Sequence, residues 1–521
     1  MASSRLGASE KAAVAIAVVL TLVAVAIDNA AVGWLLGVPI TLLLFWFATR
    51  VPVIYSLVGV MFCAFSLENP SEATASGQWR SPLYVVGALL LAHMNQVTGV
   101  SFMSISGTDM FLIFLIGVVL QRRASKSKID GGWAPTPKPL IDLAKLSLAG
   151  AMFVWGRGLI AGGDFSKSLW QIEKVTYLPI TFLLFQYAVR GPKDYLLLGR
   201  TVITAALVKA AVAVYVMHFA DVGPEKPPWA TSHHDSMLFA CAVVILVAVL
   251  IHKAHPRAGR LALTIFPPIC WGMIENNRRM VWVQIALVFL TLFFSMPPTR
   301  AKKKIVNALL YASPFIALYI AAGWGSPTGI FKPVGTIRSV VEPANDVSTM
   351  TRDIENYDLA MTIRSNPLFG LGYGHQYLQI IGLPPMPHPL EPWLPHNSLL
   401  GLWFASGFVG YTMITLLWTG GVYFGVRAYR ALSNPMDRAA ALVSFGAVLI
   451  YMIQCYGDLG LGAWTGVYIV APSIAVAGKL AVISGAWPMK GRHAKGKLET
   501  ATPPQAAPPP AGPGGPSGYA A

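Results

Sequence analysis

The chain has 521 residues, of which 55% are hydrophobic and only 12% charged, with a formal net charge of +16. Soluble globular domains carry about 25% charged residues, so the composition excludes an ordinary soluble domain and predicts an integral membrane protein. The basic excess is not a nucleic-acid face, because the lysines and arginines fall in short clusters between apolar runs and so mark membrane topology.

The first apolar run, 12–27, follows Arg5 and Lys11 in the manner of a signal peptide. Asp28-Asn29 and a second long run come directly after it, so a retained span is predicted. Further spans are predicted over 31–49, 51–67, 106–121, 141–160, 176–189, 201–219, 236–252, 261–274, 280–296, 305–322, 397–426, 439–455 and 464–485. Runs of about 15 to 20 residues, at about 1.5 Å each, suit a hydrocarbon core of about 30 Å. The stretch 82–97 carries His93, Asn95 and Gln96 and is read as re-entrant or interfacial. With fourteen crossings, the basic loops 122–128, 190–200, 253–260, 300–304 and 427–438 all fall on the cytoplasmic side, with the N-terminus and the basic stretch after Lys490. Cys63, Cys241, Cys270 and Cys455 lie inside apolar runs and read as small core residues. The expected fold class is therefore an all-α polytopic membrane protein. One transmembrane domain occupies 1–485, and a disordered, cytoplasmic, Pro/Gly/Ala-rich tail occupies 486–521.

This topology puts 161–175, 220–235, 275–279 and the long loop 323–395 on the outer face. Within the long loop, Met350, Ile354, Tyr357, Met361 and Ile363 recur at helical spacing between Thr349 and Arg364. Asn366-Pro367 ends that helix, the Gly-rich turn Phe369-Gly370-Leu371-Gly372-Tyr373-Gly374 follows, and a proline-rich stretch, 384–395, leads into His396. The loop reads as a lid over the membrane mouth.

His396-Asn397-Ser398-Leu399-Leu400 stands where this polar loop meets an apolar helix that runs on to Gly407-Phe408-Val409-Gly410. An imidazole at the bilayer surface suits proton chemistry, and the glycines let another segment approach closely. His396 can equally cap its helix, although Asn397 is the better cap by residue type. Arg278 and Arg279, at the outer end of the span beginning Met280-Val281-Trp282, are either snorkelling anchors or forked donors for a phosphate or pyrophosphate. Paired arginines on the outer side run against the usual charge bias, which favours the second reading. Arg352 on the lid helix belongs either to a solvated charged face with Asp353 and Glu355 or to the same anion site.

His-Asn, nine residues, then Gly-Phe-Val-Gly resembles the signature of the O-antigen ligase and Wzy-type polysaccharide polymerase superfamily. Arg352, followed by Arg364-Ser-Asn-Pro367-Leu-Phe-Gly370-Leu-Gly-Tyr-Gly374, resembles that family's outer loop, and Asn277-Arg278-Arg279-Met-Val-Trp282 its arginine at the outer end of a span. The resemblance covers 230–455, and the first 220 residues share only their apolar character. It implies a GT-C-like glycosyltransferase in the bacterial inner membrane with its site facing the periplasm. The implied reaction moves a glycan from undecaprenyl pyrophosphate to a glycan or lipid-core hydroxyl, by ligation or polymerisation, with inversion and with neither metal nor other cofactor. A chain-length regulator or flippase is the implied protein partner, and nucleic acid is not. His396 would be the general base, with Arg278 and Arg279 on the pyrophosphate. Arg352, Arg364 and Asn397 would hold substrate. Where the family carries a further outer arginine before 236–252, this chain has Lys226, His233 and His234, so the third cationic position stays open among them. No Asp-x-Asp pattern lies near the outer face. A lipid-linked oligosaccharide transporter or flippase is the competing class. Internal repeats and midplane polar groups would favour it, and Lys209, Asp458 and Glu173 are too scattered to outline a path.

Overall fold

A computed structural model describes the chain except for residues 1–6, 28–29, 68–86, 88–89, 92, 94–104, 128, 131–133, 221–228, 296–299, 327–330, 343–346, 383–391 and 489–521. Most of the stretch 82–97, Lys226, and the tail beyond 488 lie outside the described residues. The described part is almost wholly α-helical, and its one β-type pairing is an isolated bridge between His93 and Ser106.

The helices are α1 Ala8–Ile27, α2 Ala30–Arg50, α3 Val53–Ser66, α4 Gly107–Ala124, α5 Lys138–Ile160, α6 Phe165–Ala188, α7 Pro192–His218 and α8 Asp235–Ile251. They continue with α9 Ala258–Asn276, α10 Met280–Ser295, α11 Arg300–Gly323, α12 Lys332–Val341, α13 Val347–Ser365, α14 Ser398–Ala431, α15 Pro435–Gly457 and α16 Trp464–Ile483. A helix covers each of the fourteen apolar segments predicted from sequence. Among the described residues, five helices, α5, α7, α14, α15 and α16, are both long and apolar enough to cross a membrane. Two expectations change. The stretch 161–175, read as an outer connection, is mostly the first turns of α6, because Asp164 caps that helix by accepting from the Lys167 amide and so starts it early. The long loop holds a second helix, α12, besides the expected lid helix, which is α13.

The centre of the molecule is α16, which packs against α15, α6 and α14, while α14 also lies along α5. Its residues from Trp464 to Ala481 are almost all buried, as a helix apolar all round must be. Two sets of contacts mark the ends of the bundle. At one end Arg122 bonds Asp130, Arg190 bonds the Ile129 carbonyl, Tyr195 bonds Asp437 and Lys479 bonds the Ala134 carbonyl. Three of the predicted cytoplasmic loops thus converge there. At the other end the Asp164 amide bonds the Gly374 carbonyl, the Gln171 amide bonds the Trp393 carbonyl and Thr231 bonds Asn276. All four predicted outer segments meet there.

The Gly-rich turn is what seats the lid. Helix α14 is broken at Gly407, which has φ +60°, and the turn threads into the break. Leu371 and Gly372 donate to the carbonyls of Phe404 and Ala405, and Phe408 and Val409 donate to those of Pro367 and Leu368. A Cβ on Gly407 would lie 2.3 Å from the Phe369 nitrogen, and one on Gly370 would lie 2.4 Å from the Ala405 oxygen. The two glycine motifs therefore serve each other, each giving the other backbone room. Arg157 of α5 clamps the turn from its other side, donating to the carbonyls of Phe369 and Gly370.

Candidate active site at the lid end of the bundle

His396 follows directly from that seating. Asn397 caps α14 by accepting from the Leu400 amide, and its own amide donates to Asn356 on α13, 3.0 Å away. This fixes the residue before the cap against the lid helix. There the His396 amide donates to both oxygens of Glu355, each at 3.1 Å, and its Nδ1 lies 3.3 Å from Glu355 Oε1. An ionised carboxylate only accepts, so the ring proton sits on Nδ1 and Nε2 keeps its lone pair. Burial alone pushes the imidazole pKa down. The bond and charge of Glu355, with Asp458 behind it, outweigh burial and raise it above the usual histidine value.

Glu355 and Asp458 were not recognisable as site residues beforehand. Glu355 is 1% exposed, not part of a solvated face, and Asp458 is likewise 1% exposed. Asp458 caps the C-terminus of α15 and opens the turn Gly460–Gly462, where a side chain can point back toward the lid. It gathers an imidazole and a guanidinium. His233 Nδ1 stands 2.5 Å from Asp458 Oδ2, and the Arg352 guanidinium stands 3.7 Å from the same oxygen. Burial raises the Asp458 pKa, but the charges of His233, Arg352 and His396 override it and hold the carboxyl well below its usual range. It is an anion at all physiological pH. His233 is itself lowered, chiefly by burial, with Arg278 adding to the effect against the pull of Asp458.

Arg278 completes the chain. It lies over the Trp229 ring at 4.2 Å and donates to the Thr231 carbonyl at 3.5 Å. Its helix end is held in place because Asn276 accepts from both the amide and the hydroxyl of Thr231, while Asn277 takes a left-handed φ of 52° that turns the chain into α10. Arg279 is half-buried at the start of α10. His234 is buried, its Nε2 bonded to the Leu459 carbonyl at 2.8 Å, so it braces the Asp458 turn. Of the two histidines weighed for the third cationic position, His233 is the one that faces the charges. Lys226 lies outside the described residues.

The structure thus joins His396, Glu355, Arg352, Asp458, His233 and Arg278 in one polar set drawn from five separate stretches of chain. Arg364 does not share it. That side chain is exposed, resting against the Met361 sulfur, and twelve helical residues put its Cα about 18 Å from that of Arg352. Lys209, earlier a stray intramembrane charge, is buried 3.2 Å from Asp235 and pairs with it at the start of α8. Position in the sequence gave one signal for Glu355 that could have been used, since Arg352 and Glu355 are i and i+3 and share a helix face. Asp458 offered only an acid between an apolar run and a Gly-rich turn.

No family model matches the chain, and no curated protein is significantly similar to it.

Proposed function

We propose that the protein is a polytopic membrane glycosyltransferase of the O-antigen ligase or polysaccharide polymerase type, working on a lipid-pyrophosphate-linked glycan donor. Fourteen crossings, a GT-C-like architecture, and a site on the periplasmic side of a bacterial inner membrane belong to this reading. The observation that carries it is the gathering of His396 with Arg352, Asp458, His233 and Arg278 at the end of the bundle opposite the basic loops.

The chemistry these residues suit is a single displacement. The acceptor hydroxyl gives its proton to His396 Nε2 while its oxygen attacks the anomeric carbon. The bond from that carbon to the pyrophosphate oxygen breaks, and its electron pair leaves on the lipid pyrophosphate. Arg278, Arg279 and Arg352 would neutralise the charge that develops there, in a site where such preorganised donors are worth most. Glu355 holds the base in the correct tautomer and stabilises the imidazolium it becomes. Asp458 holds His233 and Arg352 in place, and its 3.7 Å separation from Arg352 leaves guanidinium donors for an outside anion. Inversion at the anomeric carbon follows from a single displacement.

Purified protein incubated with undecaprenyl-pyrophosphate-linked repeat units, with and without a core-lipid acceptor, tests the proposal on a gel. A ladder formed without acceptor identifies a polymerase, and a single adduct that needs acceptor identifies a ligase. Flipping of donor without any new glycosidic bond, unaffected by His396→Ala, would establish the transporter class instead.

A further inference from the structure

We propose that His93, Asp109 and Glu173 form a binding site for one divalent transition-metal ion of the zinc type, separate from the residues assigned to glycosyl transfer. Ligand atoms from these three buried side chains all lie within 4.8 Å of one another. The local fold builds the cluster from three places. Ser106 caps α4 in a reciprocal box with Asp109, and the backbone of His93 pairs with Ser106 as an isolated bridge. This brings the imidazole over the first turn of α4, where it also stacks on Trp170 of α6 at 4.2 Å. Glu173, nearly one turn further along α6, meets His93 Nε2 with its Oε2 at 3.1 Å.

Two features of the cluster point to a ligand rather than to a finished ion network. Asp109 uses one oxygen, Oδ2, for the Ser106 amide and hydroxyl at 2.6 and 2.7 Å. Its other oxygen, Oδ1, is sealed from solvent and has no hydrogen-bond partner among the described residues, and the same holds for His93 Nδ1, in residues only 2% and 3% exposed. The Tyr177 hydroxyl leans on the same carboxylate without a bond of ordinary geometry to Oδ1. Buried polar atoms left without partners are costly and mark a missing ion or water. The charge balance agrees. Two carboxyl groups share the single ammonium of Lys174, which is 2.5 Å from Glu173 Oε1, an excess of carboxylate over ammonium. A divalent cation compensates it, and Lys174 already has a second place to rest, over the Trp464 ring at 4.5 Å.

One imidazole and two carboxylates are ligands that zinc accepts. Metal–ligand bonds of about 2.0 to 2.2 Å in a tetrahedron need ligand atoms about 3.4 Å apart, so a small rotation of the side chains closes the site. Three protein ligands leave a fourth position for water. The ion would tie His93 to α4 and α6, beside Lys174, whose ammonium lies over Trp464 at the start of α16.

The test uses full-length protein in detergent, stripped with a chelator and titrated with zinc alone. Bound metal is measured by equilibrium dialysis with mass spectrometry, and stability by thermal unfolding. One zinc per chain and a rise in melting temperature are expected for the wild type. Asp109→Asn and His93→Gln should each weaken binding at least tenfold, and His255→Ala, at an exposed histidine, should leave it unchanged. If either variant fails to fold, cobalt(II) substitution of the wild type decides, because a nitrogen- and oxygen-ligated tetrahedral ion gives d–d bands far more intense, and at longer wavelength, than those of the octahedral aqueous ion. A stripped protein that takes up no zinc and melts at the same temperature with and without it overturns the proposal and leaves a buried hydrogen-bonded network of side chains alone. These readouts do not depend on glycosyl transfer, so they stand or fall separately from the proposed function.

Discussion

Arg122 and Arg352 sit at opposite ends of one bundle, each beside a buried carboxylate. Arg122 is saturated. Its guanidinium holds Asp130 at 2.7 Å and the carbonyls of Ala48, Thr49 and Val51 at 2.9 to 3.1 Å. Asp130 also accepts from the Val53 amide, so this pair staples the start of α3 to the end of α4. Among the described residues Arg352 is held only at long range, 3.7 Å from Asp458, with a third of its side chain exposed. A guanidinium with its donors consumed by the protein is structural, whereas one that its partner positions but does not saturate can bind an outside anion. The same residue pair therefore marks architecture at one end and chemistry at the other.

The largest expected effect tests the lid end. Replacing the base, His396→Ala, should lower glycan transfer by about 10²- to 10⁴-fold, the range typical for loss of general base catalysis. Donor binding, followed by retention of labelled lipid-linked glycan on purified protein, should persist. An unchanged transfer rate would mean that the imidazole is only a loop residue.

The contrast between the two arginines is sharpened by swapping the assays. Arg122→Ala leaves Asp130 buried and unpaired, which costs about 3 to 5 kcal/mol, so the melting temperature should fall steeply. Arg352→Ala should barely move it, yet should reduce transfer by about 10²-fold if this donor stabilises the departing pyrophosphate. Arg352→Lys retains charge but not the fork and should recover only part of the rate. Equal effects of both alanine variants on stability would erase the distinction.

A smaller effect concerns pH. Glu355 raises the pKa of His396, and the base works in its neutral form, so transfer should rise with pH through a midpoint above about 6.5. Glu355→Gln keeps an acceptor at that position but removes the charge. The rising limb should then move to lower pH, while the plateau rate falls because the imidazolium formed in the reaction loses its counter-ion. A pH–rate profile that does not move would assign Glu355 to holding the His396 amide alone.

Local signals carried more of this than long-range ones. The apolar runs, the break in charge bias at Arg278 and Arg279, and the glycines flanking the lid were legible because each acts through its own stretch of chain. Gly407 and Gly370 show the limit. Both were visible as motif glycines, but their mutual threading comes from backbone contacts some forty residues apart in sequence. Glu355 looked like surface on a charged helix because nothing local tells a solvated glutamate from one that folds under His396. His93, Asp109 and Glu173 meet across three segments whose polar residues, taken singly, suggested only an interfacial stretch and helix ends.

The smallest effect belongs to Asn397, and it separates folding from positioning. Its side-chain oxygen caps α14 and its nitrogen ties the cap to Asn356 on the lid helix. Loss of an N-cap costs about 1 kcal/mol, so Asn397→Ala should lower the melting temperature slightly. Asn397→Asp restores the cap but not the donor to Asn356, and so should recover stability while leaving the neighbouring imidazole less well placed. With the cap intact, any remaining deficit in transfer must come from the angle between α13 and α14, which sets where Glu355 meets His396. An Asn397→Asp protein with both wild-type stability and wild-type rate would show that the glutamate alone aligns the base.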